Sequence, residues 1–376
     1  MTESRLSAAD FHLGSGSYLL NHSVGRPLKS AEAAFHRDYF EPWQQQGEAI
    51  WPHWLQAIDG FRAALARLFS VSAEGFCPQS NLSSGLTKLV MALPELARAG
   101  GKVLLSEQDF PTIGYVLQHA LPGGRDQIRY IPVSADVTDP DVWADAMTAE
   151  IRLVFVSHAY SNTGQQAPLA EILPLARSRG ILSLVDVAQS AGILPLDLSR
   201  QAPDFVLGSC VKWLCGGPGA GYLWLSEARI AECEPKDVGW FSHAQPFEMD
   251  IHDFRYHPGA NRFWGGTPSV APYAIAAHSV ARLVEHGIDV IRAHNLALQR
   301  QVIDALGERV VSPRTEAQRN GSLILHVGAR QTQLAPALAA AGIAIDERAS
   351  GVRVSPHLYN SAEQMAQLVE VVEGIG

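Results

Sequence analysis

The sequence predicts an α/β protein: a mostly parallel sheet covered by helices on both faces, with a smaller α+β unit at its C-terminal end. Three observations carry that prediction. From Lys102 onward, short apolar runs alternate with helix-period segments, the pattern of a parallel sheet joined by crossover helices. Two of these runs flank a lone lysine, Lys212, and the glycine-rich turn next to it. A third run ends on a carboxylate, Asp186, and in parallel α/β sheets ligands bind at the C-terminal strand ends.

Composition narrows the class. The 376 residues are enough for one large and one smaller domain. We read residues 1–40 as an N-terminal arm, 41–285 as a large α/β domain and 286–376 as a small C-terminal α+β domain. Hydrophobic residues make up 47% and charged ones 18%, as in ordinary soluble enzymes. The net charge of −9 argues against nucleic acid as a partner. No apolar run reaches membrane-spanning length, and Met1 to Asp10 has none of a signal peptide's features, so a cytoplasmic protein is expected. The four cysteines and the scattered histidines show no metal-ligand spacing, so no metal site is expected.

Residues 12–29 are rich in turn formers. Helices are expected over Ser30–Tyr39 and Trp54–Phe69, where Leu55, Ile58, Phe61, Leu65 and Leu68 keep helical spacing. Trp43, Trp51 and Trp54 should pack in the core or at a subunit interface. Ser80 to Thr87 is small and polar and runs into a helical pattern over Lys88–Ala97. A helix start of this kind offers N–H groups to an anion; plain capping by Ser83 or Ser84 is the alternative.

Strands are expected at 102–106, 128–133, 152–157, 181–186, 204–208 and 221–225. Phe110 comes after the first, and core packing is the commonest role for such a residue. His158 and Asn162 come after the third, at a strand end where one of them would meet a ligand or serve loop hydrogen bonds. Residues 225–262 are irregular and rich in aromatics. A long helix is expected from Pro272 to His294, with Ile275, Val280, Leu283 and Val284 on its apolar side. Beyond it come strands near 322–327 and 351–355 and a last helix over 361–374. Gly351 to Ser355 alternates, which turns Arg353 and Ser355 away from Val352 and Val354.

The chemistry centres on Lys212. An amine between apolar strands loses its proton more readily than a solvated one, and a neutral lysine is a nucleophile able to form a Schiff base. The alternative is a strand-end lysine reaching solvent. Asp186, 26 residues earlier, decides for the first. Pyridoxal phosphate needs a lysine for its aldehyde and an acid to keep its pyridine nitrogen protonated. A helix N-cap is the alternative for Asp186.

Lys212 to Ala220, together with Phe110-Pro111-Thr112, Gly239-Trp240-Phe241-Ser242-His243 and Val352 to Tyr359, resembles the kynureninase-like members of the class V aminotransferase group, which are fold-type I pyridoxal phosphate enzymes. The matches run in family order from about residue 18 to the end. The resemblance implies phosphate contacts at Leu82 and Ser83, ring stacking by Phe110, and further cofactor contacts from Thr112, Gln189, Trp240 and Thr267. It also implies a substrate carboxylate held by Arg353, substrate contacts from Asn21 and His158, and a homodimer with shared sites, the segment around Thr267 reaching the neighbour's phosphate.

Three positions depart from the kynureninase pattern. Val211 stands where a tyrosine binds phosphate, Gln189 where a histidine is common, and Ile113 where a polar residue comes after Phe-Pro-Thr. The leading expectation is kynureninase-like hydrolytic Cβ–Cγ cleavage of an α-amino acid, giving alanine and a carboxylic acid. The alternatives are a class V aminotransferase, epimerase or β-lyase on another amino acid. A catalytically silent relative is disfavoured by the intact Lys212 and Asp186. Desulfurization through an enzyme persulfide is disfavoured because there is no cysteine after Cys233.

Overall fold

The structure is a computed structural model that describes residues 5–45, 50–97 and 100–375. The first strand, β1 (Ser17–Tyr18), comes after a short helical turn at Ala8–Asp10. A large sheet comes next, built from β2 (Phe76–Gln79), β3 (Lys102–Ser106), β4 (Ile128–Ile131), β5 (Ile151–Ser157), β6 (Leu182–Asp186), β7 (Phe205–Ser209) and β8 (Gly221–Leu225). The C-terminal part adds β9 (Leu323–Leu325), β10 (Ile343–Ala344), β11 (Asp346–Arg348) and β12 (Gly351–Val354).

The large sheet has the order β2-β8-β7-β6-β5-β3-β4. Strands β4, β3, β5, β6 and β7 are parallel, while β8 is antiparallel to both β7 and β2. Side chains of a strand point alternately to opposite faces, and the sheet's two cores obey that rule. Leu104, Val154, Val156, Val185 and Val206 enter one core with helices Ile50–Phe69 and Ala271–His286. Val103, Leu105, Leu153, Phe155, Leu184 and Leu207 enter the other with helices Leu82–Ala92 and Pro111–Ala120. Each fully buried side chain of this size stabilises the fold by about 1.5–3 kcal/mol. Both faces are covered, as a parallel sheet requires.

A third core joins β9 and β12 to helices Ile288–Leu306, Gln331–Ala340 and Ala362–Ile375. Strands β11, β12 and β9 form an antiparallel sheet. β1 pairs with β10, and Leu19 sits in this third core, so the arm is bound to the C-terminal part. No helix among the described residues is long and apolar enough to cross a membrane.

Several elements differ from the sequence expectation. The helix expected at Lys88–Ala97 runs from Leu82 to Ala92, because the Asn81 side chain accepts from the Ser84 N–H and caps it there. The helix expected from Pro272 to His294 is two helices divided at Gly287, whose φ of +102° suits glycine. Ser30–Phe35 continues as a π-helical turn through His36–Phe40. Strand β2 has no sequence signal of its own: Phe-Cys-Pro-Gln is short and mixed, and its pairing with β8 makes it a strand. Trp43 is 53% exposed and packs with Trp54 and Phe40 on the surface rather than in the core.

Candidate active site

Asp186 and Lys212 leave the sheet at neighbouring strand ends. Asp186 closes β6, pairs with Leu207 of β7, and the turn after β7 carries Lys212. That turn is tight. The Cys215 N–H donates to the Lys212 carbonyl at 3.1 Å and the Gly216 N–H to the Cys210 carbonyl at 2.8 Å. Cys215 itself holds a left-handed φ of +52°, a conformation costly for a residue with a Cβ and typical of functional turns.

Lys212 is partly buried, and no hydrogen bond or ion pair among the described residues takes its amine. Burial lowers its pKa below the ordinary lysine value; the Asp186 carboxylate opposes that fall and Arg353 adds to it. Asp186 accepts the Ala188 N–H on Oδ1 at 2.8 Å, and its Oδ2 makes no hydrogen bond among the described residues. Burial raises the Asp186 pKa, while the Ala188 N–H and Lys212 work against the rise. A cation set against Oδ2 would favour the carboxylate further. Phe110, immediately before helix Pro111–Ala120, is 62% exposed and presents an open ring face. Thr112 lies in the first turn of that helix.

The start of helix Leu82–Ala92 abuts the same region. A Cβ on Gly221 would lie 3.1 Å from the Asn81 Cα, and Gly221 pairs with Ser209, three residues before Lys212. Asn81 uses its side chain on the Ser84 N–H, which leaves the N–H groups of Leu82 and Ser83 without a partner among the described residues. Such a helix start suits an anion. These features fit pyridoxal phosphate: an unpartnered amine, a carboxylate oxygen without a donor, an open aromatic face, and free helix N–H groups.

Arg353 lies on β12 and is 4% exposed, close enough to Lys212 to depress its pKa. Gln189 donates from Nε2 to the His22 carbonyl at 2.9 Å and accepts from the Trp213 indole at 3.2 Å. It thereby ties the arm to the residue after Lys212. Asn21 is fully buried; its Nδ2 donates to the Ser355 carbonyl and its Oδ1 accepts the Tyr359 hydroxyl, so it fastens the arm to the segment just beyond β12.

His158 donates its backbone N–H to the Asp186 carbonyl, but its ring is 3% exposed and faces a cavity of about 410 Å³ lined also by Pro168, Leu196 and Ala317. Asn162 instead lines a cavity of about 770 Å³ between the ends of β3, β4 and β5 and the turn at Arg348–Ser350. Trp240 donates to the Thr267 hydroxyl at 3.2 Å and meets Trp51 edge-on at 5.5 Å. No hydrogen bond, ion pair or ring contact among the described residues joins Trp240 or Thr267 to Lys212, Asp186 or Phe110.

Three further residues near this site carry no motif in the sequence. Asp109 precedes Phe110, accepts the Ser106 N–H, and is pushed up to about 7 by burial, with the Asp186 charge adding to the rise. Asp346 accepts from Arg353, and His22 in turn contacts Asp346. A hairpin signal around Ala349-Ser350-Gly351 would have placed Asp346 opposite Arg353. No sequence signal separates Asp109 or His22 from loop residues.

Comparisons with known proteins converge on one fold. The family model described as aminotransferase class-V matches residues 35–368. The kynureninase of Deinococcus radiodurans is 28% identical, over 90% of this chain and 85% of that protein. The isopenicillin N epimerase of Streptomyces clavuligerus is 28% identical, over 84% of this chain and 83% of that protein. The solved structure of a C-DES variant, with glycine covalently linked to its PLP cofactor, superposes with a TM-score of 0.84 at 25% identity. It covers 97% of this chain and 98% of that one.

Proposed function

The chain belongs to the class-V aminotransferase family, and from that premise we propose that it is a pyridoxal phosphate enzyme that eliminates a group from Cβ of an α-amino acid. One observation carries the reading: a partly buried lysine amine with no partner among the described residues, close enough to Asp186 and Arg353 for both charges to act on it. C-DES, which matches almost the whole chain, is named a cystine C–S lyase. All four cysteines are buried, so a persulfide-carrying thiol is disfavoured, whereas elimination needs none.

When bound, pyridoxal phosphate supplies an electron sink conjugated to Cα. Lys212, its pKa lowered by burial, would hold the cofactor's aldehyde and then take the Cα proton on Nζ. Asp186, whose Oδ1 takes the Ala188 N–H, would offer Oδ2 to the pyridine nitrogen and so favour its protonated form. The N–H groups of Leu82 and Ser83 would take the phosphate, and the family resemblance adds cofactor contacts from Thr112, Gln189, Trp240 and Thr267. Arg353 grips the α-carboxylate and so fixes the Cα–H direction. Asn21 stands behind this clamp as a tie to the arm, and His158 backs Asp186 through its N–H. Thr267 and Trp240 act across a homodimer. Support comes from the exposed aromatic surface around Trp43, Phe247 and Phe254, of a kind that marks interfaces.

Kynureninase-like hydrolysis is the second reading, supported by the Deinococcus relative and by Gly239-Trp240-Phe241. Against it, Gln189 stands at the histidine position and is engaged by Trp213 and His22. A mass-spectrometric product screen with cystine, cysteine, kynurenine and 3-hydroxykynurenine tests the two. Pyruvate and ammonia from a sulfur amino acid support elimination. Alanine and an aromatic acid from kynurenine, with no pyruvate from either sulfur substrate, would overturn it.

A further inference from the structure

Arg353 is held from its side. Asp346 on β11 stands directly opposite it in the antiparallel register with β12. Arg353 Nε donates to Asp346 Oδ1 at 2.8 Å, and Nη2 donates to Oδ2. The pairing is built into the hairpin, because cross-strand partners stay within reach of each other.

Asp346 is itself held. His22 Nε2 lies 2.8 Å from Asp346 Oδ1, and His22 Nδ1 lies 2.6 Å from Ser355 Oγ, which is 2.6 Å from Ser322 Oγ. A single ring proton on Nε2 lets His22 donate to Asp346 while Nδ1 accepts from Ser355, and burial lowers the His22 pKa, which favours that form. For Asp346, burial alone would raise the pKa, but the hydrogen bonds from His22 and Arg353 outweigh it and keep the carboxylate ionised. The Ser–His–Asp order resembles a hydrolytic triad. It is not one, since Ser355 has no exposed surface. The chain of contacts ends on Arg353.

The Nε–Nη2 edge of the guanidinium is therefore taken. Nη1 makes no hydrogen bond among the described residues, and the end formed by Nη1 and the second Nη2–H remains. We propose that Asp346, held by His22, is the positioning residue of the carboxylate clamp, fixing the Arg353 fork so that the substrate α-carboxylate is received on its Nη1–Nη2 end. The proposal rests on reading Arg353 as that clamp. Gln189 extends the frame, linking the His22 carbonyl to the Trp213 indole beside Lys212, so the clamp and the lysine are set by one connected network.

The test is a binding titration of the pyridoxal phosphate-loaded protein, read through cofactor absorbance, with L-alanine and with ethylamine, which lacks the carboxylate. Asp346→Asn keeps the shape but loses the charge, and should weaken L-alanine about tenfold. Asp346→Ala should weaken it further. Ethylamine should change by less than about twofold, within the scatter of surface changes. In an Arg353→Lys background, Asp346→Asn should add no further loss, because it acts through the arginine. Unchanged or tighter L-alanine binding would make Asp346 a competitor rather than a positioner and overturn the proposal. Equal loss of both ligands, or full additivity with Arg353→Lys, would overturn it too. If Arg353→Lys alone leaves L-alanine binding intact, the clamp reading itself is wrong. Asp346→Asn decides the matter even if the alanine variant does not fold.

Discussion

Gly25 lies so close to Lys212 that a Cβ on Gly25 would stand 2.0 Å from the Lys212 carbonyl oxygen and 2.8 Å from Cys215 Sγ. The Gly25 N–H donates to the Val211 carbonyl at 2.8 Å. The arm is thus packed backbone to backbone on the turn that presents the lysine.

Gly25→Ala should therefore cost about 1–3 kcal/mol, the range for overpacking a site that cannot relax. It should also loosen the arm from Lys212. Chemical denaturation and visible absorbance of the loaded protein check this. A variant with unchanged midpoint and spectrum would show that the arm does not rest on this turn.

Asp186→Asn should retain cofactor and lose Cα–H exchange by about a hundredfold or more, the scale of a lost acid–base function. An amide cannot hold the pyridine nitrogen protonated. Deuterium exchange at Cα of L-alanine, monitored by NMR, measures it; near-normal exchange would remove Asp186 from the role.

Arg353→Lys should weaken α-amino acids by about 1.5–3 kcal/mol, the range for a hydrogen bond to a charged group, while a decarboxylated amine is unaffected. Lysine keeps the charge but not the fork. Paired titrations of an amino acid and its amine give the comparison.

Two buried histidines set an acid limit. Burial pushes His158 and His357 down to about 4, from an ordinary 6.5. Arg292 adds to the effect at His158; at His357 the Trp213 carbonyl opposes it, and His294 and His286 add to it. Each is neutral in the fold and takes up a proton in the unfolded chain as pH falls through 6.5. The stability they contribute is full above that value and is lost toward pH 4, roughly 1–3 kcal/mol per residue. Denaturant midpoints between pH 7 and 4 should fall, and His158→Gln should flatten part of the slope. An unchanged slope would mean that His158 does not set it.

Much of this site is legible in the sequence because its parts are local. An apolar run ending in Asp186, and a lysine before a glycine turn, place two groups at neighbouring strand ends without knowledge of the rest. The start of helix Leu82–Ala92 is harder to read, since Asn81 caps it from within a hydroxyl-rich stretch that offers several caps. The division at Gly287 is hidden because the apolar spacing runs through it, and only the positive φ breaks the helix. His22 is out of reach, and Asp346 can be placed only through the hairpin turn that sets it opposite Arg353. Their contacts with β12 and each other span more than three hundred residues of chain or depend on hairpin register, neither of which side-chain periodicity encodes. Asn21 and Gln189 stand near the site, and tertiary contacts determine which groups their amides meet.

Lys212 is proposed to carry pyridoxal phosphate. Incubating the purified protein with the cofactor, reducing with borohydride and mapping the modified peptide by mass spectrometry tests it most directly. A single pyridoxyl phosphate is expected on the peptide containing Lys212, absent from Lys212→Ala. A stable adduct on another lysine, or an unchanged adduct in Lys212→Ala, would contradict it.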